Sequence, residues 1–460
     1  MGRAHAVVIG AGIAGLLNAR VLADHFERVT VIEKDTLPDH PAHRWGTPQD
    51  AHLHGLLLRG RQVVEQLVPG FTDDLIAHGA PTIDLAADLA IRSPFGWGRR
   101  ARSDLRTVSA SRILVERVIR RRVATRSTIT IRDRTQVVAL AGTSTRIAAV
   151  RVRPGFTENA IEELPVDLVV DATGRGSRSS HWLRDLGCPP PPEQTLNSRV
   201  GYASRLYEIP AQHCATWKLC LLQTTPTGPL RGAALMPIEH NRWVVTLIGI
   251  GPHRPTRREG DFLPFARSLP SPIVAEALHN AEPLTDIAIS TATSNHRRHP
   301  DRVAQRPDNL LVTGDALCSF NPVYAQGMTA AATCAALLGD CLDRHDADGS
   351  RSRISSHYYR RVRPLLANCW TLATTADCGY PDGPPPTPRQ RITRRYLDRV
   401  LLAGTHDFPV QLAFLRVLNM LRPPASLLEP AVVARVLRNH HPTADAIPSH
   451  PPGDRSGPRH

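Results

Sequence analysis

The sequence predicts an α/β chain carrying an α+β insert, and three observations predict it. His5 to Ile9 is an apolar run of strand length that meets Gly10, Gly12 and Gly15 in G-x-G-x-x-G spacing, with a helical pattern following in Leu16, Leu17, Val21 and Leu22. A second strand, Val29 to Glu33, ends in an acid. Alternating stretches at 200–209, 217–223, 231–238 and 242–250 read as an antiparallel sheet. Together they give a Rossmann-like nucleotide-binding domain, an inserted antiparallel-sheet domain and a helical C-terminal region.

Each glycine of the first motif has a physical task. Gly10 permits a tight turn, Gly12 lets the backbone approach a diphosphate, and Gly15 lets the helix pack close to the strand. The diphosphate would sit on the helix N-terminus, where Ile13 and Ala14 begin the first turn and unpaired N–H groups meet the positive end of the macrodipole. Glu33, followed by Lys34, ends the next strand where a ribose hydroxyl needs an acceptor. An acid there favours a free 2′-hydroxyl, as in FAD or NAD.

Composition sets the bounds. A chain of 460 residues with 42% hydrophobic content holds the core of two to three domains. No run of 18 apolar residues occurs and a strand begins almost at once, so neither an integral membrane segment nor a signal peptide is expected, and the expected compartment is the cytoplasm. The formal charge of +14 comes from arginine, lysine occurring only at 34 and 218. Those arginines are dispersed, clustering only at 99–102 and 120–122 without interleaved aromatics, which argues against a nucleic-acid partner. The eight cysteines show no C-x-x-C pair, and His52 and His54 lack a carboxylate or thiolate companion, so no metal is expected.

Along the chain, a proline-rich loop at 36–50 leads to a helix ending near 68, and an amphipathic helix spans 109–123. Thr128 to Leu140 and Arg146 to Arg153 form a hairpin or meander across Gly142, followed by a buried strand ending Asp171-Ala172-Thr173-Gly174. Pro189 to Pro192 mark a boundary, His240-Asn241 a turn, and 272–279 a helix, after which Ile287 to Thr293 returns as a strand. Leu310 to Val312 runs into Gly314-Asp315-Ala316 and a small-residue helix from about Gln326 to Leu342. Further helices cover Ser352 to Thr375 and Arg391 to Leu437, broken at Pro423-Pro424, with a linker at 381–388.

The G-x-G-x-x-G turn, the Asp171 to Gly174 strand end, and Gly314-Asp315-Ala316 with Asn321-Pro322 and Gly327 stand in the order that resembles the flavoprotein monooxygenases of the aromatic-hydroxylase type. More narrowly, Pro48-Gln49 through His54 to Gly60, with Phe320 to Met328, look like segments of actinobacterial polyketide and polyether epoxidases. The resemblance implies a discontinuous FAD-binding domain over 1–80, 105–185 and 285–345, a substrate-binding sheet domain over 81–104 and 186–284, a helical region over 346–440 and a disordered tail at 441–460. It assigns the cofactor to Gly10, Gly12, Ile13, Ala14, Gly15, Glu33, Lys34, Arg44, Arg112, Asp171, Gly174, Gly314, Asp315, Gly327 and Met328. Glu33 would accept from the adenosine ribose and Asp315 from the ribityl chain or ribose. Pro322, Ala325 and Gly327 would form the flavin-ring and oxygen-site loop, with no side-chain base identified. Ala325 departs from the family, which has glycine there.

The implied reaction is insertion of one O₂-derived oxygen, as an epoxide or hydroxyl, through a flavin C4a-hydroperoxide into a lipophilic small molecule of secondary metabolism. Since no second G-x-G-x-x-G appears, electrons come either from transiently bound NAD(P)H or from a separate flavin reductase. A flavin dehydrogenase or reductase of a lipophilic substrate, and a non-redox binding descendant, remain alternatives. The sequence has neither the tryptophan-rich signature nor a suitable lysine for a flavin halogenase.

Overall fold

The computed structural model describes residues 3–155, 160–226, 228–347, 353–380, 385–438 and 447–452. Strand β1 (Arg3–Ile9) leads through the glycine turn into α1 (Ile13–Leu22) and returns in β2 (Phe26–Ile32). Helix α2 (Arg112–Ala124) feeds β3 (Ile129–Arg132), and β4 (Leu168–Asp171) and β5 (Leu310–Val312) complete a parallel sheet of order β5-β4-β1-β2-β3. Two long helices, α3 (Gly327–Ala347) and α4 (Ile354–Asp377), follow β5.

Both faces of β1 are covered, which is why its sequence is apolar without alternation. Ala6 and Val8 face the core shared with α1, α2, α3 and α4, whereas Val7 and Ile9 face Val137, Ile147, Val150 and Trp182 on the other side. That second cover is an antiparallel sheet of Thr135–Gly142, Ile147–Pro154 and Glu162–Pro165. The run expected from Thr128 to Leu140 is therefore two strands, its first half joining the parallel sheet. Register aligns Ile9 with Asp171 and Ile32, and Asp171 with Val312, so the chain leaves β1, β2, β4 and β5 along one edge. Ligands bind at that edge in open parallel sheets.

The inserted sheet has seven strands: Ala288–Ser290, Val200–Glu208, Arg242–Ile250, Arg231–Ile238, Leu219–Leu222, Leu89–Ser93 and Gly96–Trp97. His240 and Asn241 make its central turn, both at positive φ (63° and 55°). Its outer core packs Trp217, Trp243 and Leu247 under the helices Glu259–Arg267 and Ile273–Leu278, the first of which was not expected. Ser111 joins the two sheets: its hydroxyl caps α2 by accepting from Leu114 N (3.1 Å) and donates to Glu239 beside the inserted sheet (2.6 Å).

The C-terminal region is helical at Pro388–Gly404, Phe408–Leu418 and Pro430–Arg438. Within the segment expected as a disordered tail, 447–452 packs on the body, where Trp97 Nε1 donates to Pro448 O and Ser271 Oγ to Ser449 O. Residues 441–446 and 453–460 of that segment, and 381–384 of the linker, lie outside the described residues. No described helix is long and apolar enough to cross a membrane.

Candidate functional site

The three glycines of the turn have different neighbours. Gly10 takes φ +100°, and a Cβ there would stand 2.7 Å from Ala172 O; a Cβ on Gly15 would stand 1.8 Å from Gly10 O. Packing alone demands both. Gly12 has φ −75° and ψ 177°, which any residue adopts, and a Cβ on it would meet only Arg44 Nη2 at 4.0 Å. Its bareness leaves the start of α1 uncovered, where the N–H groups of Ile13 and Ala14 have no partner within the helix.

Beneath this turn lies a buried ionic cluster. Glu33 Oε2 accepts from Ala11 N (2.8 Å), and Oε1 accepts from Asp35 N (3.1 Å). Arg44 is buried, its Nη1 3.3 Å from both Glu33 and Asp35 and its Nε donating to Glu116 (2.9 Å). Burial opposes the Arg44 charge, but Glu116, Glu33 and Asp35 outweigh it and raise the guanidinium pKa. Arg112 stands 3.5 Å from Glu116, one helical turn along α2. Lys34 is exposed and joins none of these contacts.

The second half of the site meets the first at Gly314, which has φ +58° and where a Cβ would lie 2.7 Å from the Ala14 methyl. Asp315 follows, half-buried and without a hydrogen bond or ion pair to any described residue. Burial pushes its pKa up, with Arg175 and Arg112 pulling it down. The first turn of α3 is adjacent, since a Cβ on Gly327 would lie 3.6 Å from Asp315 Oδ1, and Met328 packs on the core behind it.

Asp171, expected among the cofactor residues, turns its side-chain oxygens to its own turn. Its Oδ1 accepts from Thr173 N (3.0 Å) and Thr173 Oγ1 (2.6 Å), and its Oδ2 accepts from Ser177 Oγ (2.5 Å). Fully buried, it fixes its own turn and so aims Gly174 (φ +77°), around which a Cβ would meet nothing within 4 Å. Arg175 then clamps the turn to the third motif, donating to Ser294 O and Phe320 O (2.7 Å each).

The loop from Phe320 to Gly327 closes this side. Pro322 opens a short 3-10 turn that ends at Ala325, a non-glycine residue at φ 53°, ψ 21°. A Cβ on Gly55 would stand 3.9 Å from the Ala325 methyl, so the segment with His52 and His54 lies alongside. His52 Nδ1 bonds Ser204 Oγ (2.8 Å) and His54 Nδ1 donates to His52 O (2.9 Å). Burial lowers their pKa values to about 4 and about 3, so both rings are neutral. Among the described residues no group of three or more His, Cys, Asp or Glu is disposed to hold a metal ion. Sequence reasoning missed Asp35, Glu116 and Arg175; Glu116, four residues after Arg112, was the one with a spacing signal.

This arrangement suits a dinucleotide: a bare helix N-terminus at Gly12 and, at the far end, a half-buried carboxylate with no partner among the described residues. The parallel sheet with a glycine turn at its ligand edge is the fold of a nucleotide-binding protein. The chain belongs to the FAD binding domain family, whose model matches residues 3–365. It is 32% identical over 384 residues to Protein Rv3254 of Mycobacterium tuberculosis (strain ATCC 25618 / H37Rv), covering 82% of this chain and 80% of that one. Among solved structures, the flavin-dependent brominase Bmp2 has a similar fold, with TM-score 0.63, 15% identity and coverage of 94% and 92% of the two chains. So does PqsL, a probable FAD-dependent monooxygenase from Pseudomonas aeruginosa, with TM-score 0.59, 17% identity and coverage of 81% and 97%.

Proposed function

We propose that the chain is an FAD-dependent monooxygenase that transfers one oxygen atom of O₂ to an unsaturated, lipophilic small molecule of polyketide type, as an epoxide or a hydroxyl. The observation that carries the reading is the juxtaposition of Asp315, the first turn of α3 and the Ala325 loop at one end of a site whose other end is the bare Gly12 turn. Bound FAD supplies the redox and oxygen chemistry. The first-turn amides of Ile13 and Ala14 hold the diphosphate, Glu33 accepts from the adenosine ribose and Asp315 from a ribityl or ribose hydroxyl. Arg44 and Arg112 offset the carboxylates of Glu33, Asp35 and Glu116 beneath the turn, and the N-terminus of α3 favours negative charge on the ring.

Two electrons and two protons accompany each O₂, so one oxygen enters the substrate and the other leaves as water. NAD(P)H, bound transiently, or a separate reductase supplies the electrons. The cofactor segments expected at 1–80, 105–185 and 285–345 stay part of this proposal, save that Ala288–Ser290 pairs with Val200–Glu208 and so belongs with the inserted sheet. Both lysines lie away from the loop's contacts: Lys218 donates to Thr82 O (3.2 Å) and pairs with Asp88 (3.1 Å), and Lys34 is exposed. That supports oxygen transfer over lysine-assisted halogenation.

The test incubates the FAD-loaded protein, a reductant and unsaturated polyketide intermediates under ¹⁸O₂, with mass spectrometry of the products. One labelled oxygen per modified double bond or ring carbon supports the reading. A product merely desaturated, reduced or halogenated, or labelled only from water, overturns it.

A further inference from the structure

A buried polar node lies under the Asn321–Gly327 loop, built from a residue beyond the matched family region. Asp377 is the last residue of α4 and is fully buried. Its Oδ1 accepts from Tyr324 OH (2.6 Å) and Asn321 Nδ2 (3.1 Å), and its Oδ2 from Asn295 Nδ2 (2.6 Å). Both amides have only one orientation available. Asn321 Oδ1 accepts from Tyr202 OH (2.6 Å) and Val323 N (3.3 Å), and Asn295 Oδ1 accepts from Asn321 N (2.8 Å), so each turns its NH₂ to Asp377. Every group around the carboxyl is thus disposed to donate.

That geometry calls for a carboxylate, although the position is costly for one. Among the described residues no cation pairs with Asp377, it lies at the negative end of a long helix, and burial raises its pKa. The node spans Tyr202 of the inserted sheet, Asn295 of the strand Asn295–Arg298, the end of α4, and the loop itself. Ala325, the residue after Tyr324, is held at φ 53° without a glycine's freedom. Contacts on both sides of Pro322 must supply that constraint.

We propose that Asp377 is a positioning residue for the flavin: through Asn321 and Tyr324 its carboxylate fixes the loop along the ring and ties that loop to the inserted sheet through Tyr202. The inference rests on the placement of the flavin ring beside this loop proposed above. Its consequences are read on bound flavin without turnover, so failure of the ¹⁸O₂ experiment and failure of this inference are separate results.

The experiment compares FAD-loaded wild type, Tyr324→Phe and Asp377→Asn by visible flavin spectrum, midpoint potential and thermal melting. Tyr324→Phe removes one of the donors, so it keeps the fold and full FAD occupancy while shifting the flavin bands and the potential. Asp377→Asn sets an NH₂ against donors and shifts both further. If Asp377→Asn does not fold, Tyr324→Phe decides alone. Unchanged spectrum and potential in Tyr324→Phe, with or without a lower melting temperature, would overturn the proposal and leave the node a purely structural one.

Discussion

Gly15 presses against Gly10 so closely that a Cβ on Gly15 would stand 1.8 Å from the Gly10 carbonyl oxygen. The contact sets the distance between α1 and the end of β1, and backbone cannot yield as a flexible side chain does. Gly15→Ala should therefore lose about 3 kcal/mol or fail to fold, the upper end of overpacking costs. Denaturant unfolding of the apoprotein measures it, and wild-type stability would contradict the packing argument.

Among the described residues Asp315 has no hydrogen-bond or ion-pair partner, so its removal should cost affinity and not stability. Asp315→Ala should weaken FAD binding on the order of 10- to 100-fold, matching about 1.5–3 kcal/mol for a charge-assisted hydrogen bond. Because burial raises its pKa, the ionised form is a burden on the apoprotein, and apo Asp315→Asn should melt no lower than wild type. Titration of the apo variants with FAD, paired with melting curves, separates the two effects.

Ala325 occupies the left-handed region at φ 53°, where glycine is unstrained. Ala325→Gly should stabilise the fold by about 1 kcal/mol. A loss of stability on urea unfolding would mean that the methyl opposite Gly55 contributes packing that outweighs the strain.

His52 gives a pH signature. Unfolded, it protonates near 6.5; folded, burial holds it neutral down to about 4 despite Asp50. Between those values only the unfolded chain takes the proton, so stability falls as pH drops through this window and is unaffected by His52 above it. The contribution is about 3 kcal/mol at 1.36 kcal/mol per unit. Urea unfolding at pH 7 and pH 4 should show a loss smaller by that amount in His52→Gln than in wild type.

Much of this was legible in the sequence because local rules and the fold agree there. The glycine turn, the acid ending β2, and the strand pair 231–238 and 242–250 each carry a short-range signal of spacing, alternation or turn chemistry. The split of Thr128 to Leu140 was not legible, since a continuous β-rich run does not say which sheet each half joins. Asp171 was read as facing the cofactor because its strand end matched a family pattern; that pattern says nothing of Thr173 and Ser177, which occupy its oxygens. The partners of Arg44 were not legible either, since Glu33, Asp35 and Glu116 come from separate parts of the chain and converge on it only in the fold. Asp377 carried no signal, since its donors Asn295, Asn321 and Tyr324 lie more than 50 residues away in sequence.

The central claim is that Gly12 is glycine for the sake of a ligand, its protein surroundings leaving a Cβ unopposed to 4.0 Å. The most direct test is FAD occupancy of purified Gly12→Val, read from the visible spectrum, alongside the melting temperature of both apoproteins. Gly12→Val should give an apoprotein that melts with wild-type apoprotein and retains no FAD, because the side chain fills the diphosphate's approach to α1. Full FAD occupancy in Gly12→Val would contradict it.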